Sequence, residues 1–285
     1  MENAHNEWDA WQEEFLRQRK DISDSTLSSY QSDLRQLCAF LSVAGPRRGP
    51  RALTRGDIDA YVCQMEAEGR SPATMRRRLV VAGAFFRYLE TKGVLAGNPV
   101  PEMTLPKPAP AAPETLNRNE LRRFLSAPGS DTPKALRDTA MLALLYVAGL
   151  QAGEIISLTL PDVNLAKKNM TVAGGEGSRP APLTADATQS LARYLEEGRP
   201  FLTEEASNLV FVNYGGGSLS RQGLWKIVRQ YAWQAGAGVN ITPRLLRNSF
   251  AAHLAEDGVA LEAIQRMMGR ASSASTRKYV RNRNP

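Results

Sequence analysis

The chain has 285 residues, 42% hydrophobic and 23% charged, the composition of a globular protein large enough for two domains. No apolar run approaches the roughly 18 residues of a membrane span, and the acidic, polar N-terminus lacks the order of a signal peptide. A cytoplasmic protein with no membrane partner is therefore predicted. Cys38 and Cys63 lie among apolar residues and are predicted to be reduced core thiols. No metal-ligand cluster is present in the sequence, so no metal or cofactor is predicted.

The formal net charge of +7 lies in the C-terminal part of the chain. Residues 1–105 carry 14 basic and 14 acidic side chains, whereas residues 106–285 carry 22 and 15. Clustered Arg and Lys displace counterions from phosphate backbones, so this asymmetry favours a polyanionic partner. A basic surface without any partner explains the charge about equally well.

Residues 1–97 predict four amphipathic helices joined by short loops. Trp8, Trp11 and Phe15 share one helical face, and apolar residues then recur at three-to-four spacing in three further segments. Capping residues precede these segments, among them Thr54 and Ser71. The pattern predicts a small four-helix bundle.

Three consecutive arginines, Arg76, Arg77 and Arg78, lie on the fourth predicted helix. Because three neighbours span most of a helical turn, they cannot all face the core. We expect them to contact phosphate groups of the polyanionic partner; a solvated face without a partner is the alternative.

Residues 98–113 hold six of the 17 prolines and predict a stiff, extended linker. Residues 114–285 then predict a second, mostly helical domain with a small antiparallel sheet. Its predicted helices cover 117–125, 134–150, 185–197 and 220–235, the last carrying Arg221 and Lys226, and its predicted strands cover 162–164, 170–172, 180–183 and 209–212.

The stretch 242–279 predicts two amphipathic helices separated by Asp257-Gly258, followed by a Ser-rich turn. It contains Arg244-Leu245-Leu246-Arg247-Asn248, then Gly269-Arg270, then Tyr279. This order and spacing resemble the C-terminal segment of the tyrosine recombinases, the phage-integrase and Xer-like family. His253 falls outside that pattern, and we expect it to pack within a helix or lie on the surface.

The resemblance covers residues 8–280 and implies an N-terminal DNA-binding bundle followed by a catalytic domain. In the family, catalysis depends on Arg, Lys, His, Arg, His (or Trp) and Tyr in chain order. Two other motifs align in register, the Gly149-Leu150-Gln151-Ala152-Gly153-Glu154 frame and a hairpin ending in Pro182-Leu183. The six corresponding positions hold Gln151, Gly174 (or Gly175 if the turn is shifted), Arg244, Arg247, Arg270 and Tyr279.

Arg247 and Tyr279 match the family's catalytic set, and Gln151, Gly174, Arg244 and Arg270 depart from it. Gln has no charge and no guanidinium fork to stabilise the transition state. Gly174 cannot protonate the departing 5′ oxygen, and arginine stays protonated near neutral pH. Lys167 and Lys168 lie on the preceding turn and are not expected to substitute. The resemblance and the charge also suggest DNA contacts by Arg179, Arg221, Lys226, Arg244 and Arg270.

The resemblance thus implies a duplex-DNA-binding protein of site-specific recombination or integration, with strand cleavage impaired. Its expected partners are double-stranded DNA and either an intact recombinase or a second copy of itself. Two alternatives stay open. One is an active recombinase that forms a 3′-phosphotyrosine through Tyr279, and the other is a transcriptional regulator that only occupies DNA.

Overall fold

The computed structural model describes residues 2–19, 22, 24–44, 49–100, 113–174, 177–203, 207–238 and 240–269. The chain divides into two compact units, residues 1–109 and 110–285. Within the described residues, no helix has both the length and the apolar content that a bilayer crossing requires. Each unit has its own hydrophobic core.

The first unit is the predicted four-helix bundle. Its helices are α1 (Glu2–Arg17), α2 (Asp24–Ala44), α3 (Arg55–Ala67) and α4 (Pro72–Thr91). Trp8 and Phe15 of α1 are buried against Phe85 of α4, as their shared helical face predicts. Ser71 caps α4 by accepting a hydrogen bond from the Thr74 amide at 3.2 Å.

The predicted linker begins on the surface of this bundle. Asn98 Nδ2 donates to the Gly83 carbonyl of α4 at 3.0 Å, and the Val100 amide donates to Asn98 Oδ1 at 3.0 Å. Residues 98–100 therefore pack on the first unit, and residues 101–112 lie outside the described residues.

The two cysteines differ, which corrects the prediction that both lie in the core. Cys38 is buried, whereas Cys63 is exposed because α3 turns Ile58, Tyr61 and Met65 inward and position 63 outward. Burial, with a smaller contribution from Asp9, raises the pKa of the Cys38 thiol to about 12. Thiolate is the reactive form, so Cys38 is protected both by its burial and by its raised pKa.

We therefore expect a disulfide reagent such as Ellman's reagent to modify Cys63 in the native protein and Cys38 only after unfolding. Absorbance would count the thiols before and after adding denaturant, and the Cys63→Ala variant should show no rapid reaction. Rapid reaction of both thiols in the folded chain would contradict the packing of α2.

The second unit is built around α6 (Pro133–Val147), which packs against α8 (Ala185–Arg193) and α10 (Pro243–Glu256). Most of α6 is buried, as its apolar sequence predicts. A π-helical turn, Tyr194–Gly198, continues α8. The remaining helices of this unit are α5 (Arg118–Ser126), α7 (Ala152–Ser157), α9 (Arg221–Gln234) and α11 (Leu261–Met267).

Three strands form an antiparallel sheet in the order β1-β2-β3. They are β1 (Val163–Asn164), β2 (Asn169–Gly174) and β3 (Gly177–Pro182). Met170 and Val172 of β2 and Ala181 of β3 are buried. In the register of the hairpin, Val172 pairs with Arg179 and Gly174 with Gly177.

The predicted strand at 209–212 was wrong, since these residues make only isolated bridges, Thr159 with Leu209 and Val212 with Ser218. Its side chains are as apolar and buried as a strand's would be. Arginine side chains donate to backbone carbonyls that would otherwise accept hydrogen bonds from a neighbouring strand. Arg199 Nε donates to the Leu209 carbonyl at 3.1 Å, and Arg137 Nη1 donates to the Val212 carbonyl at 3.0 Å.

Candidate active site

The site begins at the turn between the end of α6 and the start of α7. The Gly149 amide donates to the Tyr146 carbonyl at 3.0 Å, and Gly149 has a φ of 54°, the left-handed region that favours glycine. A Cβ atom there would lie 2.4 Å from a ring carbon of Phe250, so sterics also require glycine. This turn ends α6 and exposes Gln151 at the start of α7.

A buried carboxylate, Glu154 on α7, lies between two arginines. Arg179 of β3 binds it as a fork, Nη1 donating to Oε1 at 2.7 Å and Nη2 to Oε2 at 3.0 Å. Arg247 of α10 approaches from another direction, with Nη1 3.5 Å from Oε2. All three side chains are at most 12% exposed, so these charges interact with little screening by water.

The same two arginines bind the C-terminal end of α11. Arg179 Nε donates to the Met267 carbonyl at 2.9 Å, and Arg247 Nη2 donates to the Met268 carbonyl. Cations are favourable there because the last carbonyls of a helix lack partners within the helix. Gly269 follows with a φ of 58°, and a Cβ atom on it would lie 3.0 Å from Arg179 Nη1.

Arg247 lies in the interior because α10 is buried on all sides over residues 245–251. Thr242 caps this helix, its Oγ1 accepting from the Leu245 amide at 3.1 Å. Arg247 is 6% exposed, and its Nη1 also donates to the Gly149 carbonyl at 2.5 Å. Arg244, in the first turn of the same helix, is exposed to solvent.

Gly174, the last residue of β2, lies beside the Arg179–Glu154 pair. A Cβ atom on Gly174 would lie 3.9 Å from Arg179 Nη1 and 3.9 Å from Glu154 Oε1. A side chain at position 174 would therefore point at the charged cluster. Lys167 and Lys168 lie just before Asn169, the first residue of β2. Asn169 is about 17 Å from Gly174 at the rise of a β-strand.

Comparison with known proteins agrees with this arrangement. Residues 114–284 match the model of the phage integrase family, and residues 9–93 match the phage integrase N-terminal SAM-like domain. Tyrosine recombinase XerD of Listeria monocytogenes serotype 4b (strain F2365) is 35% identical over 269 residues, 93% of this chain and 91% of the relative. The chain belongs to the tyrosine recombinase family.

Other recombinases show the same relation. Tyrosine recombinase XerC of Roseiflexus sp. (strain RS-1) is 32% identical, with 94% of this chain and 88% of that protein covered. A lambda integrase dimer bound to a COC′ core site has a TM-score of 0.76 at 19% identity, covering 97% of this chain and 95% of that one. XerH bound to a palindromic difH substrate, in a post-cleavage complex, has a TM-score of 0.74 at 20% identity, covering 94% and 79%. These structures share the fold.

The described residues bring together three of the six positions that correspond to the family's catalytic set. Gln151 and Gly174 flank the Glu154 cluster, and Arg247 forms part of it. The backbone N–H of Gln151 donates to Glu154 Oε2 at 2.7 Å. Arg244 lies one turn before Arg247 and faces solvent. Arg270 and Tyr279 lie outside the described residues.

Two features of the cluster were not predicted from the sequence: the role of Glu154 and the internal partners of Arg179. From the sequence, Glu154 was only part of an aligned motif, and Arg179 was predicted to contact DNA. The structure instead engages Nε, Nη1 and Nη2 of Arg179 within the protein, which gives this residue an internal role. The sequence did offer a signal. Glu154 lies in the motif at 149–154 and Arg179 in the hairpin motif, so two opposite charges occur in motifs of one family pattern.

His253 has the structural role expected of it. It is 4% exposed, and its Nε2 lies 2.9 Å from the Leu116 carbonyl, so this nitrogen must donate. Its Nδ1 then accepts from the Tyr146 hydroxyl at 3.0 Å. Ser249 Oγ accepts from the Leu116 amide at 2.9 Å. The polar side of α10 thus anchors the segment by which the chain enters this unit.

The three consecutive arginines of α4 lie in different environments. Arg76 is exposed, whereas Arg77, 49% exposed, pairs with buried Asp33 of α2. Arg78 is only 7% exposed, with Nε 3.7 Å from Asp33 Oδ1, so the predicted DNA contact does not fit its position. Burial raises the pKa of Asp33, and Arg77 and then Arg78 oppose that rise.

The remaining predicted DNA contacts, Arg221 and Lys226, lie exposed on α9. Ser220 caps this helix, its Oγ accepting from the Gly223 amide at 2.9 Å. A Cβ atom on Gly153 of α7 would lie 3.3 Å from Arg221 Nη2. The start of α9 therefore adds positive charge directly beside the candidate site.

Proposed function

We propose that this chain binds duplex DNA in site-specific recombination or integration and has little or no strand-cleavage activity of its own. Its partners are double-stranded DNA and either an intact recombinase or a second copy of itself, in the cytoplasm. Membership of the tyrosine recombinase family and the net charge of +7 support DNA as the ligand. The DNA present in the XerH and lambda integrase structures supports it further.

Exposed cations supply the phosphate contacts in this proposal. They come from both units: Arg76 and Arg77 from α4, Arg221 and Lys226 from α9, and Arg244 from α10. Arg270 is the additional contact that the sequence predicts. Arg78 and Arg179 are left out because their guanidinium groups are engaged inside the protein.

The observation that carries the proposal of impaired cleavage is the glycine at position 174. Its Cβ position is 3.9 Å from the Glu154 carboxylate, where a lysine would be aimed at the site. Without that ammonium group, this position cannot protonate a departing 5′ oxygen. Gln151 additionally puts a neutral amide where the family has a guanidinium. The site retains positive charge to hold a phosphate and lacks the groups that would move protons.

Binding should be dominated by phosphate contacts and should fall steeply with salt. Fluorescence anisotropy with a labelled duplex of mixed sequence, titrated at several salt concentrations, gives the log–log slope of affinity. Each neutralised phosphate contributes about −0.9 to that slope, so Arg76→Ala or Arg221→Ala should reduce its magnitude by about 0.9 per lost contact.

Arg193→Ala is the matched control, since Arg193, the last residue of α8, is exposed and pairs with Glu197 of the following π-helical turn, outside the proposed interface. It should leave both the affinity and the slope unchanged. A salt-independent affinity, or equal losses in all three variants, would contradict binding through these cations.

A further inference from the structure

One face of α9 alternates cations with indole rings. Arg221, Trp225, Arg229 and Trp233 recur every four residues, and the two tryptophans are 40% and 83% exposed. The Arg229 guanidinium carbon lies 5.4 Å from the centroid of the Trp225 ring, a cation–π contact. Large exposed apolar side chains grouped on one surface mark an interaction site.

A groove of about 740 Å³ follows this face. Among the described residues that line it, Arg221, Lys226 and Arg229 are basic and none is acidic. The groove starts beside the candidate site, because Arg221 Nη2 adjoins Gly153 of α7. It then follows α9 to Trp233, about 12 Å beyond Trp225 at the rise of an α-helix.

The charge of this face favours a polyanion, and its two indoles restrict which polyanion fits. In a duplex, both faces of each base are already stacked on neighbouring bases, so an indole ring has no base face to contact. Unpaired nucleotides expose their base faces, and stacking on aromatic side chains beside cations is how proteins hold single strands. An acidic protein segment would satisfy the charge but would leave the aromatic–cationic alternation unexplained.

We propose that this face of α9 binds unpaired nucleotides. A base stacks on Trp233, and the phosphates follow Arg229, Lys226 and Arg221 toward the candidate site. This goes beyond the proposed function, which concerns duplex DNA. It would give the chain a place to hold a strand wherever a bound duplex is nicked, gapped or opened.

The test uses the full chain with oligo(dT), whose bases stack weakly on one another. Trp8 is fully buried and Trp11 is partly buried in the first unit, so quenching that is lost in Trp233→Ala would identify the indole of α9. Trp233→Ala should weaken oligo(dT) binding on the order of tenfold, the loss of one base stack, and leave duplex affinity unchanged. Trp233→Phe should retain most of the affinity because a phenyl ring also stacks.

Tyr214→Ala is the matched control, since Tyr214 is 79% exposed but lies outside this face, and it should bind oligo(dT) normally. Unchanged oligo(dT) affinity in Trp233→Ala would overturn the proposal, as would equal losses on oligo(dT) and duplex. Loss of self-association in Trp233→Ala, with oligo(dT) binding unaffected, would identify a protein interface instead. Failure of duplex binding alone would overturn the proposed function and leave this inference standing.

Discussion

The unmodified protein should form no detectable covalent complex through Tyr279 on a nicked duplex with an ordinary phosphodiester. A tyrosine with a pKa of about 10 is more than 99% protonated at neutral pH, so attack is slow unless the phenol is activated. Losing general-acid help costs about 10²–10⁴ in rate, and losing one transition-state donor costs a further ~10²–10³. Gly174 accounts for the first loss and Gln151 for the second.

A bridging 5′-phosphorothiolate separates these two losses, because its sulfur leaving group needs no proton. Gly174→Lys should speed cleavage of the ordinary phosphodiester and change the phosphorothiolate reaction little. Gln151→Arg should speed both reactions by similar factors, since it stabilises charge on oxygens that both transition states share. The combined variant with Gln151→Arg, Gly174→Lys, Arg244→His and Arg270→His should give the largest gain.

Each variant is compared with its Tyr279→Phe counterpart, which should give no covalent complex in a denaturing gel. Equal acceleration of both substrates by Gly174→Lys would mean that the lysine does not act as the acid. Rapid, Tyr279-dependent cleavage of an ordinary phosphodiester by the unmodified chain would overturn the impaired site and favour an active recombinase.

Amphipathic periodicity predicted most of this fold because the elements carry strong local signals. The inward-facing residues of α1 and α4 and the capped start of α10 lie where three-to-four spacing put them. The hairpin was also predictable, since glycines and prolines bound its short strands. The strand predicted at 209–212 was wrong because an apolar run indicates burial but not strand pairing. The carbonyls of Leu209 and Val212 accept from the side chains of Arg199 and Arg137.

The sequence predicted which motifs form the candidate site but not which charged side chains pair with each other. Motif spacing aligned Arg247 and Gly174 with the family pattern, and in the structure both lie close to Glu154. It could not show that Arg179, 25 residues after Glu154, would bind that carboxylate. Nor could it show that Asp33 on α2 would pair with Arg78 inside the bundle.

Glu154→Gln should lower the free energy of unfolding of the second unit by about 3–5 kcal/mol, the cost of removing one partner from a buried ion pair. The carboxylate is 8% exposed and faces both Arg179 and Arg247, so its neutralisation leaves two buried guanidinium groups without their anion. Hydrogen exchange in peptides of α6, followed across a urea series, would measure this unit separately from the N-terminal bundle.

The matched control is Glu256→Gln, because Glu256 is 62% exposed and lies 3.8 Å from Arg118, and a surface pair contributes at most about 1 kcal/mol. A double variant, Glu154→Gln with Arg179→Met, should recover much of the lost stability. The second substitution removes Arg179, which loses both of its bonds to the carboxylate when Glu154 is neutralised. Arg247 keeps its bonds to the Gly149 and Met268 carbonyls. Additive losses in the double variant would mean that the two side chains act independently. Recovery would mean that Glu154 and Arg179 form one unit that fixes the hairpin and the end of α11 around Arg247, the catalytic arginine of the family pattern.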